Sequence, residues 1–155
     1  VPKATGTKLI ADNRRARFDY ELLERVEAGV VLTGSEVKSA REGRVQLGQA
    51  YADIRDGEAW LVGASIAEYA PGSGAFAHQP DRDRKLLLHR QEIDSLYGKV
   101  RERGLTLIPT RMYFKDGKVK VELALARGRE RADKRRAIAE RDAKRQMERA
   151  LHRRR

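Results

Sequence analysis

The sequence predicts a mainly β, antiparallel domain with flanking α-helices and a separate basic C-terminal tail. Two Asp-Gly pairs, each set between alternating apolar and polar residues, predict two tight hairpins. Between them an apolar stripe at the 3.6-residue period predicts a helix. Beyond residue 126 the large apolar residues thin out and the charge turns strongly positive.

Taken in chain order, Leu9 to Ala11 reads as a strand, and Phe18 to Leu23 as another. Val30-Val31-Leu32 is a short strand ending at Gly34. Ser35 is placed as the N-cap of a short helix running to about Glu42, with Lys38 and Arg41 exposed. Asp56-Gly57 closes the first hairpin, putting Ala52, Ile54, Ala59 and Leu61 on one face and Tyr51, Asp53, Arg55, Glu58, Trp60 and Val62 on the other. Tyr51 and Trp60 are expected to pack under a helix rather than bind a base. Ala70 to Ala75, with Pro71, Gly72, Ser73 and Gly74, reads as a flexible loop. Asp81 to Arg103 reads helical, with Leu86, Ile93, Leu96, Tyr97 and Val100 on one stripe and Gly104 as its stop. Gly98 weakens that helix by about 1 kcal/mol and is a candidate kink.

Asp116-Gly117 closes the second hairpin. A two-residue loop pairs Phe114 with Val119, Met112 with Val121, Thr110 with Leu123 and Ile108 with Leu125, which gives a nearly all-apolar face. The opposite face carries Arg111, Tyr113, Lys115, Lys118, Lys120 and Glu122. Pro109 predicts an edge or a bulge in the first of these strands. Hairpins of short strands with a helix between them predict a small, partly open barrel of the oligonucleotide-binding type. A flat α+β sheet is the alternative.

Charge divides the chain into a domain over residues 1–126 and a tail over 127–155. The whole chain of 155 residues carries 34 basic and 23 acidic side chains, a net charge of +11 and a pI near 10.2. Thirteen of those cations and only five of the acids fall from Arg127 onward. Such a balance calls for a polyanionic partner. The tail's sizeable apolar residues, Ile138, Met147 and Leu151, make no continuous stripe, so a membrane-surface helix is disfavoured and nucleic acid preferred. Glu130/Lys134 and Glu140/Lys144 favour a helix; Arg141/Arg145 and Arg145/Arg149 oppose it. The tail is expected to be largely disordered alone and ordered when phosphates neutralise it. Its reach is about 40 Å as a helix and about 95 Å extended.

Other chemistries find little support. The chain has no cysteine, so neither a disulfide framework nor a thiolate metal site is available. His78, His89 and His152 lack metal-ligand spacing, and no metal or cofactor is expected. Gly72-Ser73-Gly74 has no Gly-Lys-Ser/Thr after it to make a phosphate loop. Asp53 and Glu58 flank a turn rather than converge on a cleft, and no nucleophile elbow occurs, so no catalysis is expected. With no apolar run long enough to span a bilayer and no apolar signal core in Val1 to Gly6, the expected setting is the cytoplasm, without a membrane partner. Chemistry therefore centres on the second hairpin's outer face, where lysines meet phosphates and Tyr113 stacks on a base or sugar. The competing reading of that face is an ordinary solvated strand surface.

Seven blocks then appear in order: Asn13-Arg14-Arg15-Ala16; Glu27-Ala28-Gly29; Gly34-Ser35-Glu36-Val37-Lys38-Ser39; Asp56-Gly57-Glu58-Ala59-Trp60-Leu61; Arg82-Asp83-Arg84-Lys85-Leu86-Leu87-Leu88-His89; Tyr113-Phe114-Lys115; and Asp133-Lys134-Arg135. With them the chain resembles the small protein B (SmpB) family over nearly its whole length. The resemblance implies a closed oligonucleotide-binding-like barrel with flanking helices that holds the tRNA-like domain of transfer-messenger RNA. It implies a monomer whose tail enters the decoding centre and empty mRNA channel of a stalled ribosome and folds there into a helix. Its implied RNA contacts fall on Asn13, Glu27, Leu87 and Lys120, and the matching blocks and hairpin face add Arg14, Lys38, Arg84, Tyr113 and Lys115. In the tail the matched positions are Asp133, Lys134 and Arg135, with Arg136, Arg141, Lys144, Arg145, Arg149 and Leu151 as further ribosome contacts. Ala132 stands where relatives often carry His or an aromatic residue, and Ala150-Leu151 where some carry a bulkier pair.

Overall fold

The computed structural model describes residues 6–69, 78–129 and 131–153. In chain order the elements are β1 (Thr7–Asp12), α1 (Arg14–Asp19), β2 (Tyr20–Val30), α2 (Gly34–Arg41), β3 (Val45–Gln46), β4 (Tyr51–Arg55) and β5 (Glu58–Val62). Then come β6 (Ser65–Ile66), β7 (Arg84–Leu87), α3 (Arg90–Arg103), β8 (Thr106–Lys115), β9 (Lys118–Gly128) and α4 (Arg131–Arg153). The protein is mainly β. A seven-stranded antiparallel sheet runs β1-β8-β4-β5-β7-β2-β9, and β8 also pairs with β9, so the line of pairings returns to a strand already used. β3 and β6 form a separate two-stranded sheet, and the helices flank the strands.

Both hairpins form at the Asp-Gly pairs. Asp56 and Gly57 sit at φ 51° and 76°, Asp116 and Gly117 at 50° and 81°, the left-handed angles that a two-residue hairpin turn requires. β4 and β5 pair from Arg55↔Glu58 to Tyr51↔Val62, and Ala52, Ala59 and Leu61 of the predicted inner face are buried. On the outer face Tyr51 is exposed and Trp60 half-buried. β8 and β9 start in the predicted register, Phe114↔Val119 and Met112↔Val121, and then slip between Pro109 and Arg111. Pro109 has no N–H to give the ladder, and Thr110 is the residue left over. Past the slip the pairs become Pro109↔Leu123, Ile108↔Ala124 and Leu107↔Leu125 in place of the predicted Thr110/Leu123 and Ile108/Leu125. The side chains change faces with it. Leu107 enters the main core with Met112, Val121, Leu123 and Leu125, while Ile108 joins Ala16 and Ala126 in a second small cluster covered by α1.

Several elements differ from the sequence reading. The predicted helix over Asp81–Arg103 is two elements, strand β7 and helix α3: Leu86 lies two helical turns ahead of Ile93 but pairs as a strand residue with Ala59 and Val30. α3 continues through Gly98 and ends at Gly104, which takes the left-handed conformation at φ 63°. The strand read near Phe18 begins at Tyr20 and runs to Val30, and the six residues before it are α1, capped by Asn13. Thr33, not Ser35, caps α2: its side chain accepts from the Glu36 N–H while the Glu36 carboxylate accepts from the Thr33 N–H. The segment Ala70 to Ala75 lies outside the described residues.

The tail holds one helix of 23 residues, α4. Alanine is the strongest helix former, and the tail carries five between positions 132 and 150 among Arg, Lys, Glu and Gln that also favour a helix. The helix leaves its described side chains in water, Met147 and Leu151 included. It meets the domain at α1, where the Arg141 guanidinium lies 4.6 Å from the centre of the Phe18 ring.

Candidate nucleic-acid interface

Strand register assembles the candidate interface. Leu87 of β7 lies opposite Gly29 of β2, Gly29 opposite Lys120 of β9, Lys120 opposite Tyr113 of β8, and Tyr113 opposite Leu9 of β1. Five strands thus carry one continuous row across the outer face. Because side chains two apart share a face, the next row holds Glu27, Glu122, Arg111 and Asp12, and the row on the other side holds Lys118 and Lys115. At the β7 end of the row a groove of about 300 Å³ is lined by Leu87, Gly29, Val30, Leu32, Val37 and Val119 together with Lys118 and Lys120. Leu87 is 55% exposed, an apolar wall left facing water. Gly29 keeps the groove open, since a Cβ there would sit 3.2 Å from the Leu87 Cβ.

The charges of this face are unequally spent. Lys115 lies 3.2 Å from the Glu27 carboxylate, and Arg111 lies 3.4 Å from Glu122. Lys118 and Lys120 form no ion pair among the described residues. The Tyr113 hydroxyl donates to Glu27, and that bond, helped by Lys115 and Lys120, outweighs the opposing effect of desolvation and lowers the Glu27 pKa. Burial, with the Glu27 and Glu122 charges, raises the Tyr113 pKa, so the phenol remains a hydrogen-bond donor. Tyr113 is only 5% exposed, with Arg111 5.4 Å from its ring centre. Its ring is therefore covered, and the stacking role read from sequence is not open to it.

The other predicted contacts scatter. Arg84 is 0% exposed and belongs to the interior: its Nε donates to Glu36 at 2.7 Å, one Nη to the Ala64 carbonyl at 2.7 Å and the other to the Pro80 carbonyl at 2.8 Å. It cannot reach RNA. Glu36, buried with it, also accepts from Arg82 and the Thr33 N–H. Burial alone would raise the Glu36 pKa, yet the bonds from Arg82, Thr33 and Arg84 hold it at about 2. Asn13 is buried as well. Its amide donates to the Leu47 and Pro109 carbonyls at 3.2 and 2.8 Å and its oxygen accepts from the Ala16 N–H, so it pins α1 against β8 and projects nothing outward. Arg14 is exposed at the start of α1, and Lys38 is exposed on α2 with its ammonium 5.5 Å from the Tyr69 ring centre; neither lies on the row. Of the nine domain positions, register brings together Glu27, Leu87, Tyr113, Lys115 and Lys120. In the tail, Arg135, Arg141, Lys144, Arg145, Arg149 and Leu151 are exposed; the side chains of Asp133, Lys134 and Arg136 lie outside the described ones.

Gly29, Leu9 and Lys118 complete the face without having been singled out. Lys118 was legible as the neighbour of Lys120 on an exposed strand side. Nothing local marks Gly29 or Leu9, whose places depend on pairing with distant strands. Among the described residues no cluster of three or more His, Asp or Glu side chains could hold a metal ion, and no helix is long and apolar enough to cross a membrane.

A strand face whose Lys118 and Lys120 form no ion pair among the described residues, beside an open groove, defines a class: an antiparallel β-sheet protein with a cationic outer surface. Comparison with known proteins narrows the class. The family described as SmpB protein matches residues 10–153, and the chain belongs to that family. A protein named SsrA-binding protein from Parafrankia sp. (strain EAN1pec) is 57% identical over 153 residues, covering 99% of this chain and 96% of the relative. Its namesake from Anaeromyxobacter dehalogenans (strain 2CP-C) is 59% identical over 146 residues, covering 94% and 89%. A chain from the solved structure described as "tmRNA-SmpB: a journey to the center of the bacterial ribosome" is 47% identical, with a TM-score of 0.65 over 83% of this chain and 93% of that one.

Proposed function

We propose that this protein binds the tRNA-like domain of transfer-messenger RNA and delivers it to stalled ribosomes, acting as an adaptor and not a catalyst. The observation that carries the reading is the row Leu87–Gly29–Lys120–Tyr113, which sets an apolar groove beside lysines that form no ion pair among the described residues. The strands form a closed barrel of the oligonucleotide-binding type, supported by the pairing of β9 with both β2 and β8. Lys118 and Lys120 meet phosphates, Leu87 packs on a sugar or base, and Glu27 accepts a hydrogen bond. The names of the relatives, SsrA-binding protein, support the choice of RNA.

The tail serves a second polyanion. α4 is about 35 Å long at 1.5 Å per residue, long enough to enter an RNA-lined channel. With so little of it packed on the domain, it is only partly helical in the free protein and becomes fixed when ribosomal RNA neutralises its arginines. Asp133, Lys134 and Arg135 address the decoding centre, and Arg136, Arg141, Lys144, Arg145, Arg149 and Leu151 the vacant mRNA channel. The protein acts in the cytoplasm as a monomer.

A gel shift against transfer-messenger RNA in the presence of competitor tRNA tests the reading, together with a chain truncated before Arg129. The full chain holds its RNA against competitor. The truncated chain holds it equally well but no longer supports tagging on stalled ribosomes. Equal affinity for bulk ribosomal RNA fragments would instead indicate a structural ribosomal protein.

A further inference from the structure

Glu27 is out of place on a face that collects cations. It lies directly opposite another acid, Glu122, across β2 and β9, an arrangement that costs stability. Glu122 is largely withdrawn, with its side chain 15% exposed and its carboxylate engaged by Thr110, Arg111 and Arg25. Glu27 is not withdrawn: its side chain is 35% exposed. It is nonetheless held in a defined orientation. The Tyr113 hydroxyl donates to Oε2, and the Lys115 ammonium bridges Oε1 and Oε2 at 3.2 and 3.3 Å. A carboxylate has about four acceptor sites, so these bonds leave about one unfilled on a side chain that water reaches.

Phosphate oxygens only accept hydrogen bonds, so a fixed carboxylate repels them. The groups of RNA that can satisfy Glu27 are those that donate: a base N–H or a ribose 2′-hydroxyl. We infer that Tyr113 is a positioning residue for RNA recognition, whose buried hydroxyl fixes the Glu27 carboxylate to accept a hydrogen bond from a base N–H or 2′-hydroxyl of the bound RNA. The inference rests on the RNA-binding reading given above and deepens it. The same face then divides its work between two chemistries. Lys118 and Lys120 respond to charge and hold any RNA backbone, while the Tyr113–Glu27 pair responds to a donor at one place and rejects a phosphate there. Tyr113 suits the task because it is enclosed between Leu9, Arg111 and Lys120 and its pKa is raised, which keeps its proton available for Glu27.

The test compares the full-length chain with Tyr113→Phe, Glu27→Gln and the double variant, each titrated with the tRNA-like domain of transfer-messenger RNA over a range of salt. Thermal unfolding of each variant monitors folding, and Glu27→Gln keeps the test intact should Tyr113→Phe prove unstable. Each single variant is expected to bind about tenfold more weakly, as for loss of a hydrogen bond to a charged group, and to lose the same factor of preference over bulk tRNA. The double variant should be no weaker than either single one, and the slope of log affinity against log salt should stay that of the wild type, since no phosphate contact is lost. RNAs with single 2′-deoxy or amino-lacking base substitutions locate the donor: the one whose weakening disappears in Glu27→Gln carries it. Wild-type affinity in both single variants, multiplying losses in the double, or a salt slope reduced by about one unit would overturn the inference. Failure of the wild-type chain to bind this RNA would overturn the functional reading itself.

Discussion

The hairpins β4–β5 and β8–β9 turn through the same Asp-Gly pair at nearly equal angles, Asp56 at φ 51° and Asp116 at 50°. Both bury an apolar face in the same core. Their outer faces treat charge differently. On the first, Arg55 lies 2.9 Å from both Asp53 and Asp83, Lys85 lies 3.3 Å from Glu58, and Arg90 donates to the Gly57 carbonyl. Those acids raise the Arg55 pKa. On the second, Lys118 and Lys120 form no ion pair among the described residues and lie beside an open groove. Identical local turn chemistry therefore yields a self-neutralised surface in one place and a surface with lysines outside ion pairs in the other. What separates them is which residues the neighbouring strands place opposite.

If the first hairpin's side is scaffold and the second's is interface, damage to each should register in a different measurement. The largest effect is expected at Arg84, beside Leu61 of the first hairpin. Arg84→Ala leaves Glu36 buried with a weakened set of partners and should cost about 3–5 kcal/mol in chemical denaturation, with no change in RNA affinity per folded molecule. The same site predicts a pH dependence. Glu36 has a pKa of about 2 when folded against 4.5 as its ordinary value, so its stabilisation is complete above pH 4.5 and is lost as pH falls towards 2. Some 3 kcal/mol, roughly, should disappear over that window, and Glu36→Gln should flatten it in acid-unfolding curves.

Next in size is charge reversal on the interface. Lys118→Glu with Lys120→Glu should weaken binding of the tRNA-like RNA by about a hundredfold or more near physiological salt, and leave the melting temperature close to wild type. Arg55→Glu, the counterpart on the first hairpin, should change affinity per folded molecule by less than about threefold. Equal losses on the two hairpins would break the comparison. Smaller and more specific is Lys120→Ala. It should lower the slope of log affinity against log salt by about one unit, and an unchanged slope would mean that Lys120 meets no phosphate.

Much of the scaffold was legible in the residues, and the interface only in part. Asp-Gly pairs carry their turn geometry with them, Pro109 announced a bulge, and Gly104 a helix stop, because each acts within a few residues. α1 was missed although Asn13 caps it, since six residues are too few to show a helical period. The extension of α3 back to Asp81 followed from Leu86 falling by coincidence on the helical stripe. Arg84 looked like a surface cation because its partner Glu36 is 48 residues away, and Tyr113 looked exposed because β1, whose Leu9 lies opposite it, is not evident from its own strand. The row from Leu87 to Leu9 depends on four strand registers at once. No local pattern encodes that.

Lysine reactivity tests the central claim most directly. The free protein and its complex with the tRNA-like RNA are labelled with an amine-reactive reagent, and Lys118 and Lys120 are compared with Lys85 by peptide mass analysis. Protection of Lys118 and Lys120 with Lys85 unaltered is the result expected. Protection of Lys85, on the strand beside the first hairpin, while Lys118 and Lys120 stay as reactive as in the free protein would place the RNA on that side of the sheet and contradict the account.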